Sequence, residues 1–160
     1  MNTTINPELK NQLRITGLIF YSFFSGMIIF FIIVMILFQN TDNPENGEID
    51  KIFVFIIPVF GLTAMFFARF LYNRMILKLN PSSNIIQKIA NYRTAKIVSW
   101  AMIESACFLA LIATMLTSNY LYTVVFLFLA GYFILLRPSK ESLIRDMRLN
   151  AEESDLILKS

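Results

Sequence analysis

The sequence predicts an all-α polytopic membrane protein built as a bundle of four transmembrane helices, on three observations. The 160 residues are 56% hydrophobic and only 16% charged, and sixteen of them are Phe, far more than a soluble core of this length needs. The apolar residues fall in four blocks, and the basic residues gather in alternate connections between those blocks. The expected organisation is an amino-terminal arm over 1–14, a membrane domain over 15–136 and an amphipathic tail over 137–160.

The blocks run over 15–38, 52–72, 95–116 and 120–136. Each meets the roughly 17 residues that an α-helix needs to cross a ~30 Å hydrocarbon layer, the fourth only just. Backbone amides cannot face lipid unsatisfied, so helices are the economical solution. The first block is longer than the apolar core of a signal peptide and keeps bulky Phe and Ile to its end, so it is expected to persist as an anchor. In the second block, Pro58 removes the amide that would bond to Val54, which predicts a kink there.

Charge placement orients this bundle. Lys10 and Arg14 precede the first block, Arg74, Lys78, Lys88, Arg93 and Lys96 lie around the second connection, and Arg137, Lys140, Arg145, Arg148 and Lys159 follow the fourth. The first connection instead carries Asp42, Glu45, Glu48 and Asp50 against Lys51, and the third is only Thr117-Ser118-Asn119. The positive-inside rule then predicts both termini in the cytoplasm. Tyr72 and Tyr92 at the basic edge, with Tyr120 and Tyr122 at the other, fit interfacial aromatic belts. The net charge of +3 follows from this asymmetry and implies no nucleic-acid surface.

Between the second and third blocks, Asn80-Pro81 is expected to stop the chain and Ser83 to cap a new turn with Ile85, Ile86 and Ile89 on one face, opposite Lys88. Beyond Pro138 and Ser139, an amphipathic piece has Leu143, Ile144 and Met147 on one side, and Asn150 to Glu153 resembles a capping box ahead of Leu156, Ile157 and Leu158. These apolar faces either dock a partner or cover the bundle and rest on headgroups.

The most informative residue is Glu104, a single carboxylate within the apolar run from Ile97 to Leu116. A charge at the bilayer centre costs several kcal/mol, so it must be paired, protonated or hydrated. At 100° per residue, Ile97, Trp100, Ala101, Cys107, Phe108, Leu111 and Met115 share its side, while Ser99, Ala106, Ala110, Ala113 and Thr117 cluster opposite as a small-residue packing seam. One partner is Arg69, whose depth differs from that of Glu104 by roughly 6 Å at the usual helical rise. Otherwise a protonated Glu104 would bond with Ser22, Ser25 or Thr63, with Arg69 reaching the headgroups. Burial favours its neutral form and a nearby Arg69 its charged form, a balance that would suit a proton or cation site made of Glu104, Arg69, Ser25 and Thr63. Placing Arg14 over Arg93 aligns Tyr21 with Trp100 and Ser25 with Glu104, as two duplicated helical hairpins would.

The lone membrane Glu104 resembles the carboxylate of rotary ATPase rotor subunits, but their glycine-rich first helix is absent, since the first block holds only Gly17 and Gly26, and Glu104 falls on the first helix of its hairpin. Four short helices with one such Glu also resemble the small multidrug exporters, which carry it where this chain has Ser25. In overall look the chain is similar to small four-helix bacterial inner-membrane proteins, a resemblance that implies no activity.

Other chemistry is not indicated. The sequence has no His and one Cys, Cys107, so it lacks imidazole ligands, a His-based triad, a disulfide and any CxxC pair. It carries no phosphate-binding glycine motif. The sequence therefore predicts no enzyme, metal or cofactor, and a lipid bilayer as the surrounding partner. The leading expectation is a non-catalytic subunit or assembly factor of a membrane complex. The alternative is a small homo-oligomeric proton- or cation-coupled transporter or channel using Glu104.

Overall fold

The computed structural model describes residues 7–39, 47–78, 84–147 and 149–159. Of these, 93% are helical, in six helices. They are α1 (Pro7–Gln39), α2 (Gly47–Leu77), α3 (Ile85–Thr117), α4 (Tyr120–Leu135), α5 (Lys140–Met147) and α6 (Ala151–Lys159). The first three are long and apolar enough to cross a membrane. The 16 residues of α4 reach only about 24 Å at 1.5 Å per residue.

The long helices start earlier than their apolar blocks, for local reasons. Pro7 opens α1, where its missing amide is no loss and its φ is already helical. Glu48 and Asp50 sit in the first turn of α2, where the helix dipole favours carboxylates. Asn84 caps α3, its side chain accepting from the Ile86 amide at 3.4 Å. The expected Ser83 cap and the Asn80-Pro81 stop lie outside the described residues. Between α3 and α4 the chain turns on Ser118, in the left-handed region at φ 54°, and Asn119, whose side chain accepts from the Leu121 amide at 2.9 Å. Asp50 fastens this end by accepting from Asn119 Nδ2 at 3.0 Å and from the Tyr122 hydroxyl at 2.6 Å.

α3 is the central helix and packs against α2, α4 and α1. The expected seam of Ser99, Ala106, Ala110, Ala113 and Thr117 is buried, and so are Trp100, Ile103, Cys107 and Leu111 on its other sides. A single tight seam therefore understates α3, which is covered on several sides and leaves one stripe exposed, through Thr94, Ala101, Ser105, Ile112 and Leu116. Against it α2 turns Gly61, Ala64 and Ala68 inward and leaves Phe55, Phe66 and Phe70 exposed, the arrangement expected where small residues admit close helix approach. α2 continues through Pro58 as one helix.

α1 lies along α3 in parallel. Gln12 meets Arg93, Phe20 packs on Trp100, and Phe30 packs on Phe108. This register is close to the one that aligns Arg14 with Arg93, so the aligned residues of the two segments share a depth. Stacked rings join α1 to α4, Phe20 on Phe133 and Phe31 on Phe126 at 5.0 Å each.

At the basic end the chain bends by 72° between α4 and α5. Pro138 cannot continue α4, the freed Leu136 carbonyl accepts from Trp100 Nε1 at 3.2 Å, and Ser139 Oγ accepts from the Ser142 amide at 3.1 Å to start α5. α5 and α6 then fold over the end of the bundle. Leu143 and Ile157 join Leu9, Ile89 and Tyr92 in a second small core. The expected capping box of α6 forms in both directions, Glu153 amide to Asn150 Oδ1 at 2.7 Å and Asn150 amide to Glu153 Oε2 at 3.1 Å.

Candidate functional site

Glu104 is half-buried on the α1 side of α3. A Cβ placed on Gly26 would lie 3.6 Å from its Oε1, so the carboxylate rests against α1 where that helix has no side chain. Aromatic pairs flank this position along the two helices, Phe20 and Phe23 with Trp100 toward the basic end and Phe30 with Phe108 toward the other.

The other sequence-predicted ion-site residues do not converge on Glu104. Arg69 is exposed, and its side chain lines a cavity shared with Ser99 of α3 and Tyr132 of α4. The expected Arg69–Glu104 ion pair does not form. The physical reason is rotational: Ser99 and Glu104 are 140° apart on α3 at 100° per residue, and α2 packs on one flank while α1 packs on the other. Ser25 is level with Glu104, next to Gly26, but is exposed, as is Thr63 on α2. Ser22 bonds within its own helix, to the Leu18 carbonyl at 3.0 Å.

The cavity beside Arg69 is the larger polar feature. It holds about 510 Å³ between the basic ends of α2, α3 and α4, with α5 across it, within the roughly 300–1,000 Å³ of small-molecule sites. Arg69, Lys96, Arg137 and Arg145 line it together with Glu141 and Asp146. Its most ordered wall is a hydrogen-bond chain. The Tyr92 hydroxyl donates to Ser142 Oγ at 3.3 Å, Ser142 donates to Asp146 Oδ2 at 3.1 Å, and the Tyr72 hydroxyl donates to the same oxygen at 2.5 Å. Arg145 Nε donates to the other carboxylate oxygen of Asp146 at 3.2 Å. Lys96 is 7% exposed, with its ammonium 4.8 Å from the centre of the Tyr72 ring and 5.5 Å from that of Tyr92.

Sequence reasoning placed Tyr72 and Tyr92 in an aromatic belt and Lys96 among the orienting charges, and it missed their assembly. A local signal existed. Arg69, Tyr72 and Asn73 are spaced to share one face of α2, and Tyr92, Lys96 and Ser99 to share one face of α3. What brings the two faces together is the fold.

The docking candidates Leu143, Ile144 and Met147 are engaged within the chain. Leu143 is fully buried, and Ile144 and Met147 pack at the edge of the same small core. A partner would have to displace α5 to reach Leu143, whereas Ile144 and Met147 remain partly exposed. Lys88, expected opposite the apolar face, is itself buried, because α6 covers it and supplies Glu153 Oε1 at 2.8 Å. Burial alone would raise the Glu153 carboxyl, but hydrogen bonds from Lys88 and the Asn150 amide, with the Lys88 charge, hold it below the ordinary glutamate range. Among the described residues, no three His, Cys, Asp or Glu side chains gather in a way that could hold a metal ion.

Comparison with known proteins finds no matching family model, no matching curated protein and no matching solved structure.

Proposed function

We propose that this chain is a four-span protein of a bacterial inner membrane, with both termini cytoplasmic, that serves as a non-catalytic accessory or assembly subunit of a membrane complex. The four-span reading rests on α4 lining up beside α3 with fully apolar exposed positions such as Val124, Leu127 and Phe128, and on the slight shortness of α4 being within what a bilayer accommodates by local thinning. The orientation rests on the bias of Lys and Arg toward the end that α5 and α6 cover.

One observation carries the accessory role. Among the described residues, the polar contacts that fasten α5 and α6 form a folded cap at the basic end, through Tyr72–Asp146 and Lys88–Glu153, while Glu104, Arg69, Ser25 and Thr63 are dispersed over separate faces. A transport path through one chain calls for the reverse, polar groups converging between the helices. A cap held rigidly on a membrane anchor suits the presentation of a surface to a partner.

The test is native mass spectrometry of the tagged chain extracted from its own membrane in mild detergent. A defined heteromeric complex is the expected result. A monomer or homo-oligomer that moves protons or cations in liposomes, and loses that flux on Glu104→Gln, would replace this reading with a transporter.

A further inference from the structure

We infer that the cavity at the basic end binds a phosphate-bearing anion, carried on the headgroup of an anionic phospholipid. The inference goes beyond the accessory role and requires of it only that the basic end lie at a membrane face.

The charge inventory of the cavity points to an anion. Arg69, Lys96 and Arg137 line it, and among the described residues none of the three has a carboxylate within 4 Å. Two acids share the lining, Asp146, which is already engaged by the Tyr72 and Ser142 hydroxyls and by Arg145, and the exposed Glu141, so the cations Arg69, Lys96, Arg137 and Arg145 are in excess. Lys96 is the informative member. An ammonium removed from bulk water requires compensation, and here it meets the faces of Tyr72 and Tyr92 and the cavity, with an Asp146 carboxylate that Tyr72, Ser142 and Arg145 already share. Cation–π contact supplies part of that compensation; an anion in the cavity would supply the rest.

Phosphate fits the donors in kind. Two guanidinium groups can each offer a planar pair of N–H donors, and Lys96 a compact charge, which is the set that recurs in phosphate recognition. The position fits a lipid. Leu135 lies at the cavity wall near the end of α4 and is exposed, as is Phe70 next to Arg69 on α2. An acyl chain would therefore have an apolar path along the outside of the helices while its headgroup occupied the basic cavity. Basic pockets between membrane helices at the cytoplasmic side are suited to such headgroups.

The experiment is native mass spectrometry of the purified full chain in detergent, titrated separately with phosphatidylglycerol, phosphatidylcholine and inorganic phosphate. Phosphatidylglycerol should be retained preferentially over phosphatidylcholine, and the preference should fall roughly fivefold in Arg137→Gln and again in Lys96→Met. Arg137 is exposed, so its substitution tests binding even where Lys96→Met disturbs folding, and Lys51→Gln at the opposite end should leave the preference unchanged. Inorganic phosphate binding that is lost in the same variants, without any lipid preference, would keep the anion site and overturn its lipid source. Equal retention of both lipids with no phosphate binding, or a preference that survives both variants, would overturn the inference. None of these results depends on whether a protein partner is found.

Discussion

Glu104 and Arg69 sit on opposite flanks of α3, the carboxylate against Gly26 of α1 and the guanidinium at the cavity between α2, α3 and α4. Each is therefore free to be changed without leaving the other stranded. The effects of Glu104→Gln and Arg69→Gln on stability should add to within about 0.5 kcal/mol. Reversible unfolding in mixed micelles, followed through the single Trp100, gives the double-mutant cycle. A coupling well above 1 kcal/mol would mean that the two side chains meet.

The contact between Gly26 and Glu104 leaves room for one methyl group and no more. A Cβ 3.6 Å from Oε1 is an ordinary van der Waals distance, so Gly26→Ala should be close to neutral. Gly26→Leu must push the carboxylate or separate α1 from α3, at about 1–3 kcal/mol. Trp100 packs on Phe20 and Phe23 within the same interface. Its emission should shift in Gly26→Leu and stay in place in Gly26→Ala.

The Lys88–Glu153 pair makes the attachment of α6 depend on pH. Because the folded carboxyl titrates below its ordinary value, its contribution to stability is complete above the usual glutamate range near pH ~4.3 and disappears as pH falls through the lowered folded value. Hydrogen-exchange protection of α6, compared at neutral and strongly acidic pH, should show this loss. Glu153→Gln keeps a capping side chain for Asn150 but removes the charge, so it should weaken α6 by roughly 1–2 kcal/mol at neutral pH and flatten the pH dependence.

At the other end, Asp50 serves two donors from the α3–α4 turn, Asn119 and Tyr122. Asp50→Ala leaves both without their acceptor and should cost about 1–3 kcal/mol. Faster tryptic cleavage after the neighbouring Lys51, compared with wild type, is the expected signature. Unchanged cleavage and an unchanged unfolding midpoint would show that water replaces the carboxylate at no cost.

Residues of one kind were legible without the fold. Pro138 and Ser139 as the break before α5, the Asn150/Glu153 capping box, and the buried stripe from Ser99 to Thr117 depend on backbone chemistry and helical period within a few residues. The Arg69–Glu104 pair, one of two arrangements open to the sequence, does not form: depth along a helix can be counted from sequence, whereas the flank on which a neighbour packs cannot. The burial of Lys88 was not legible for a related reason: its place opposite Ile85 and Ile89 can be counted locally, but α6, some sixty residues later, folds back over it.

By itself the sequence determined that the chain is helical, that its apolar residues fall in four blocks, of which the first three become helices long and apolar enough to cross a bilayer, and that the charges divide into a basic and an acidic end. Composition and periodicity are local, and the cost of burying charge or unsatisfied backbone in lipid leaves few alternatives. Only the tertiary structure decided that α3 stands in the middle, that Glu104 meets Gly26, and that Arg69, Lys96 and Arg137 converge on one cavity under α5. Those relations depend on how helices rotate and pack against each other. Packing is settled by the shapes of many side chains at once, such as Gly61 against Leu129 and Phe20 between Trp100 and Phe133, and no single segment carries that information.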